Sequence, residues 1–174
     1  MKFFSENIES LRELYINQLR TMLSAERQIT DALPKMIEKS TDPQLKQAFQ
    51  SHLQETEVHV QRLEQILSES ANERDDLKCK VLATMVDDTE SVIGDIDDDS
   101  VRDAALIASG QRVEHFEMAS YGTLRNWAQI LRESGHAQLL NQTLKEEEHA
   151  DKLLTQISDM VNPSASSTGR ATAA

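Results

Sequence analysis

The chain has 174 residues, enough for one domain with a sizeable core. Its formal net charge of −12 excludes the basic stripe that nucleic-acid phosphates require and disfavours anionic membranes, so neither partner is expected. Aromatics make up only 4% of the chain and Gly and Pro are few, which suits an all-helical protein, and the single Cys79 excludes an internal disulfide. No run of about 18 apolar residues occurs, and residues 1–20 carry no apolar signal core, so a cytoplasmic protein is expected.

A first helix is predicted over residues 5–40, with Ser5 as its N-cap. Its stripe reads Ile8, Leu11, Tyr15, Leu19, Met22, Glu26, Ile29, Leu33 and Met36, in steps of three or four. Glu26 is the charged member of that row. Pro34 removes a backbone donor inside the pattern, which predicts a bend near Thr30. Thr41, Asp42 and Pro43 then read as a cap with Pro in the first turn of a second helix. Its stripe is Leu45, Phe49, His52, Thr56, His59, Leu63 and Ile66, polar in the middle, with Glu55 one turn from both histidines.

Ser70, Ala71 and Asn72 break the pattern. Residues 75–94 carry a shorter one, through Leu77, Val81, Met85 and Val92, predicted as a crossover helix. The acidic run 95–99 is a loop whose charge favours the start of the next helix. It lacks the ligand and glycine spacing of an EF-hand, so a Ca²⁺ loop is not expected. A third long helix over 101–133 shows Leu106, Gly110, Val113, Glu117, Ser120, Leu124, Trp127 and Leu131, flanked by Ile107, Gln111, Glu114, Met118 and Tyr121. Gly110, Ser120 and Gly122 would let a neighbouring helix approach closely, and Ser134-Gly135 is expected to close the helix. A fourth, over 136–161, carries Leu140, Leu144, Glu147, Asp151 and Leu154, and Asn162-Pro163 is expected to stop it. Residues 163–174 are small and polar and are expected to be a disordered tail, which leaves 1–162 as the bundle.

Two hairpins with short turns, joined by a long connection, make an all-α, ferritin-like four-helix bundle with a crossover helix. The acidic residues inside the stripes share one height in it. Glu26 lies fifteen positions before Thr41 and Glu55 fourteen after it; Glu117 lies seventeen before Ser134, with Glu148 fourteen and Asp151 seventeen after. At 1.5 Å per residue all sit roughly 21–26 Å from their turns. Carboxylates that close repel one another, and burial resists their ionisation. A pair of divalent cations removes both costs, and oxygen donors with an imidazole suit iron or manganese.

Bundle di-metal sites take one Glu from each of two helices and a Glu-x-x-His from each of the others. Glu26 and Glu117 are the candidate single donors here, with His52/Glu55 and Glu148/Asp151 as the pairs. Glu114, one turn from Glu117, is an equal candidate. A literal Glu-x-x-His occurs at Glu146 and His149, but it shares a face with Gln142, Lys145, Lys152 and Gln156 and reads as the solvent side. Glu147 is the alternative to Glu148. His59 reads as structural, Tyr15 and Tyr121 as core, and Cys79 has no assigned role.

Five segments carry a resemblance. They are Ser24-Ala25-Glu26-Arg27-Gln28, His52-Leu53-Gln54-Glu55-Thr56, Val101-Arg102-Asp103-Ala104-Ala105-Leu106-Ile107-Ala108, the stretch Val113-Glu114-His115-Phe116-Glu117-Met118-Ala119-Ser120-Tyr121-Gly122-Thr123-Leu124, and Leu144-Lys145-Glu146-Glu147-Glu148 with Asp151. Over about residues 5–160 the chain resembles the bacterial YciE/YciF proteins, most specifically in the third long helix. The resemblance implies a ferritin-like, rubrerythrin-related bundle, found as a homodimer and tied to bacterial stress responses. It supports Glu26, Glu55, Glu114, Glu117, Glu148 and Asp151 as metal-site residues and supplies no reaction. Two functions are expected to compete. One is a di-metal centre of iron or manganese acting on O₂ or peroxide; the other is a non-catalytic dimeric stress protein that binds metal weakly or not at all. Iron storage would need a closed shell of many subunits, and the acidity disfavours DNA protection.

Overall fold

A computed structural model describes residues 8–71 and 75–168. Five helices follow in order: α1 (Leu11–Lys39), α2 (Pro43–Ala71), α3 (Lys80–Gly94), α4 (Asp99–Ile130) and α5 (Ser134–Thr168), with no strand among the described residues. The expected cap at Ser5 lies outside the described residues. The observed cap is Ser10, whose hydroxyl accepts from the Glu13 N–H, while the Glu13 carboxylate accepts from the Glu9 N–H at 2.7 Å. Together these bonds satisfy two backbone donors at the helix start. α1 continues through Pro34. Asp42 caps α2 as expected, accepting from the Gln44 and Leu45 N–H groups at 2.9 Å each.

The long helices pack as two hairpins, α1 with α2 and α4 with α5, while α2 also packs on α5 and α1 on α4. Tertiary hydrogen bonds fix the directions. Asp103, near the start of α4, meets the α1–α2 turn, and Arg12, near the start of α1, meets Glu133 in the α4–α5 turn. The two turns therefore lie at opposite ends of the bundle, α1 runs antiparallel to α4, and the connection carrying α3 returns the length of the molecule. α3 lies across α1 and α4, held by Lys35–Glu90 at 2.8 Å and Arg112–Asp88 at 3.1 Å. The core consists of the inward rows, including Leu19, Leu23, Leu45, Leu63, Ile66, Leu106 and Leu124, each essentially inaccessible to solvent.

Asp103 is a connector that the sequence pattern does not announce. Buried at 2% exposure, it accepts the Thr41 N–H at 2.9 Å, the Thr41 hydroxyl at 2.6 Å and the Asp42 N–H at 2.7 Å. One carboxylate thus ties the second hairpin to the turn of the first. Asp103→Ala should lower the unfolding free energy by about 3 kcal/mol in urea titration, because hydrogen bonds to charged groups are worth about 1.5–3 kcal/mol and their donors would be left inside.

Three expected features differ. α4 ends not at Ser134-Gly135 but earlier, in a Schellman turn: Arg132 takes φ 62°, with the Arg132 N–H donating to the Gln129 carbonyl and the Glu133 N–H to the Ala128 carbonyl. Ser134 already belongs to α5. α5 also passes the expected stop at Asn162-Pro163 and continues to Thr168. Pro163 lacks the N–H that would bond the carbonyl of Asp159, and both residues are exposed, so that carbonyl is open to solvent. Of the expected tail, residues 169–174 lie outside the described residues. Gly110 does permit close packing, since a Cβ there would sit 2.9 Å from Leu154 Cδ1, whereas Gly122 faces open space.

Candidate metal centre

Each long helix places polar side chains in its inward row at mid-length. α1 supplies Glu26, α2 His52 and His59, α4 Glu114 and Glu117, and α5 Glu147, and all six are buried. Their periodicity explains the convergence. His52, Thr56 and His59 continue the Leu45–Phe49 row of α2, and Glu147 continues the Leu140–Leu144 row of α5. Burial of that row by apolar neighbours carries the polar residues inward with it.

The donors form two overlapping groups. One contains His52, Glu114, Glu117 and Glu147; the other contains Glu26, His59 and Glu147; within each, ligand atoms lie within 4.8 Å of one another. Glu147 belongs to both. His52 Nε2 lies 3.5 Å from Glu114 Oε1, and His52 Nδ1 lies 4.0 Å from Glu147 Oε2. His59 Nδ1 is 3.7 Å from Glu26 Oε2 and 2.9 Å from Glu147 Oε1. That shortest approach lacks hydrogen-bond alignment: His59 Nδ1 and both Glu147 oxygens have no hydrogen-bond partner among the described residues. The same holds for Glu26 Oε2, His52 Nδ1, Glu114 Oε2 and both oxygens of Glu117. Buried polar atoms are ordinarily paired. So many lone pairs facing a shared interior, rather than each other, fit donors arranged around cations.

A second layer orients this cluster at one end. His59 Nε2 lies 2.9 Å from Glu146 Oε2, and Glu146 is gripped by both guanidinium nitrogens of Arg62, which also donates to Thr143 at 3.0 Å. A neutral His59 that donates from Nε2 presents its Nδ1 lone pair to Glu26 and Glu147. This is how histidine ligands are usually held. Tyr121 donates its hydroxyl to Glu26 Oε1 and meets the His59 ring edge-on at 6.3 Å.

Burial and mutual repulsion shift the ionisations. Burial raises the Glu117 carboxyl well above its usual range, with Glu147, Glu26 and Glu114 pushing the same way. Glu114 is raised by burial, then by Glu147. For His59 burial acts downward, but Glu147 and Glu26 outweigh it and hold the imidazole up at about 11. Burial would raise Glu146, yet Arg62 and His59 hold it below the ordinary glutamate value. Burial drives the Tyr121 phenol upward, reinforced by Glu26. Without cations the cluster thus retains protons on several of its donors. Two divalent cations would balance the four carboxylates of Glu26, Glu114, Glu117 and Glu147.

The expected residues are distributed unevenly. Glu26, His52, Glu114 and Glu117 lie in the cluster, and Glu114 and Glu117 are both buried there. Glu148, expected to point inward, is exposed, and its neighbour Glu147 takes the interior position. Glu55 is half-buried at the edge of α2, outside both groups. Asp151 is also half-buried and is engaged by His115 at 3.3 Å and Gln111 at 3.4 Å. His59, read as structural, sits at the centre. Glu146, read as solvent-facing, is half-buried against α2, while His149 is exposed as expected. The missed signal was phase: 147 and 148 differ by only 1.5 Å in height but by about 100° in direction. Counting from the turn cannot separate them, whereas the Leu140–Leu144 spacing can.

An antiparallel bundle with a long crossover, and with carboxylates and imidazoles from four helices at mid-height, has the architecture of the ferritin-like class. Residues 10–166 match the family described as Domain of unknown function (DUF892), and the chain belongs to that family. It is 38% identical over 152 residues to Protein YciF of Escherichia coli (strain K12), covering 87% of this chain and 92% of that one. The crystal structure of the E. coli stress protein YciF aligns with a TM-score of 0.85 at 36% identity, over 90% of this chain and 99% of that one. YcfI of Rhodopseudomonas palustris aligns equally well, with a TM-score of 0.85, 38% identity and coverage of 88% and 98%. A Xanthomonas campestris protein with a TM-score of 0.76 and 19% identity, over 92% and 99%, shares the fold. No helix among the described residues is long and apolar enough to cross a membrane.

Proposed function

We propose that this chain holds a pair of divalent cations, iron or manganese, between Glu26, His52, His59, Glu114, Glu117 and Glu147, and uses them on O₂ or peroxide in a bacterial stress response. The supporting observation is the set of buried oxygens and nitrogens without hydrogen-bond partners, in two groups that share Glu147. Glu147, common to both groups, would help hold both ions. His59 and Glu26 would complete one, and His52, Glu114 and Glu117 the other. A carboxylate-bound pair of redox-active ions would supply electrons to an oxidant. The protein's own part is to fix the donors, through Glu146, Arg62 and Tyr121, and to exclude bulk water around them.

A second reading is favoured by one observation. Thr56 occupies the inward site three residues before His59, where the bundle pattern places a Glu, and its hydroxyl bonds to the His52 carbonyl instead. A non-catalytic stress protein with weakened metal binding fits that substitution. Elemental analysis of protein purified without chelator divides the readings. Two iron or manganese ions per chain are expected; a preparation that takes up neither after anaerobic loading would refute the metal reading. The proposal extends to a cytoplasmic homodimer, supported by the exposed apolar Leu77, Val81 and Val92 on and beside α3. A dimer in gel filtration would also remove storage in a shell.

A further inference from the structure

Two cavities reach the cluster, and each touches it at His52 and Glu114. One, of about 40 Å³ beneath α3, is walled largely by apolar side chains such as Ile29, Leu33 and Val86. The other, of about 210 Å³, lies between α2, α4 and α5 and has polar groups at both ends. Its outer end carries Glu55, half-buried, and His149, exposed; Phe49 and Leu154 line its sides; buried His52 and Glu114 form its floor. The volume far exceeds the roughly 30 Å³ that one water takes in the liquid, so an ion can pass with part of its hydration shell.

The chemistry along this cleft is graded. Behind the floor residues lie His52 Nδ1 and Glu114 Oε2, both closed off from solvent and without hydrogen-bond partners. The Glu55 and His149 side chains form no ion pair among the described residues, so their donor atoms are free to meet a solute. A carboxylate and an imidazole at the mouth repeat, in accessible form, the carboxylate and imidazole below. Apolar walls between them keep the local dielectric low and focus the field of the acidic floor outward.

We infer that the α2–α5 cleft is the loading path for divalent cations, with Glu55 and His149 capturing the hydrated ion and passing it to His52 and Glu114. The inference rests on the metal reading above and gives Glu55 a role outside the final ligand set. Capture residues lie on the path and not at its end. They therefore change the rates of binding and release together and leave the equilibrium constant unchanged.

The test uses metal-free full-length protein and Co²⁺ as the probe, followed by its visible absorption in stopped flow. The double variant Glu55→Gln/His149→Ala should take up Co²⁺ about tenfold more slowly, in line with the 10–10³-fold effect of field focusing on association rates. It should release the ion to excess chelator more slowly by the same factor, with unchanged stoichiometry and affinity. Glu148→Gln, an equal charge change outside the cleft, should leave the rates alone. Unaltered rates in the double variant, with full final occupancy, would overturn the path while leaving the metal site standing. Weakened affinity with faster release would make these residues ligands and overturn it too. Failure of the unmodified protein to bind Co²⁺ at all would remove the metal reading itself.

Discussion

Replacing Glu147 by Gln should lower divalent-metal affinity by more than about 100-fold, because the loss of even an outer hydrogen-bonding partner typically costs 10–100-fold. Glu147 stands in both donor groups, so one substitution weakens both positions. Glu148→Gln, one residue further along the same helix, should leave affinity unchanged, since that side chain is exposed. Glu146→Gln should fall between them, within 10–100-fold, because it weakens the grip of Arg62 and frees the His59 ring. Competition titration against a chromophoric chelator measures all three. An equal loss from the 147 and 148 substitutions would show that surface charge, and not the buried groups, governs binding.

The second large effect concerns the metal-free protein. Glu117 is fully buried, its oxygens have no hydrogen-bond partners, and burial with its neighbours' charges holds its carboxyl well above 4.5. Glu117→Leu should therefore stabilise the metal-free fold, by about 1–4 kcal/mol on the scale seen when apolar residues replace buried ionic groups. The same variant should lose the stabilisation that metal confers on the parent. The pH dependence has a definite sign. Glu114 and Glu117 have folded values raised above the ordinary 4.5, so their contribution is fully present below 4.5 and is lost as pH rises through the raised values. His59 is raised from 6.5 to about 11, so its contribution is complete below 6.5 and fades towards 11. Glu146 has the opposite sign, but its window lies below 4.5. Chelator-treated protein should consequently melt at a higher temperature near about pH 6 than near about pH 8. Metal-loaded protein should reverse the order, because cations displace those protons. Calorimetry on the two forms compares the slopes directly.

The architecture was legible because hydrophobic periodicity and turn chemistry agreed over long stretches. The Leu45–Ile66 row and the Asp42-Pro43 start of α2 needed no tertiary information. What escaped was decided by competition between neighbours. Ser10 caps α1 through its hydroxyl, with Glu13 in place to take up the Glu9 N–H. Arg132 rather than Gly135 took the left-handed position because the chain turns directly after Leu131, the C-cap of α4 and its last residue packed against the core. At the site, the height of the acidic layer followed from counting, but the inward direction at 147 depended on helix phase. His59 escaped for a different reason. A histidine in an apolar row looks like any satisfied core residue until Glu146 and Arg62 arrive from elsewhere in the fold to fix its ring.

The two ends of the cluster are built to different stiffness. His59 and Glu26 are clamped from behind by Glu146, Arg62 and Tyr121, whereas His52 and Glu114 face a cleft with no comparable bracing. An ion at the clamped end would find its donors waiting; one at the open end would have to gather them. If the cluster holds the proposed pair of cations, the braced end would fill first, and a half-filled protein would be a defined species and not a random mixture.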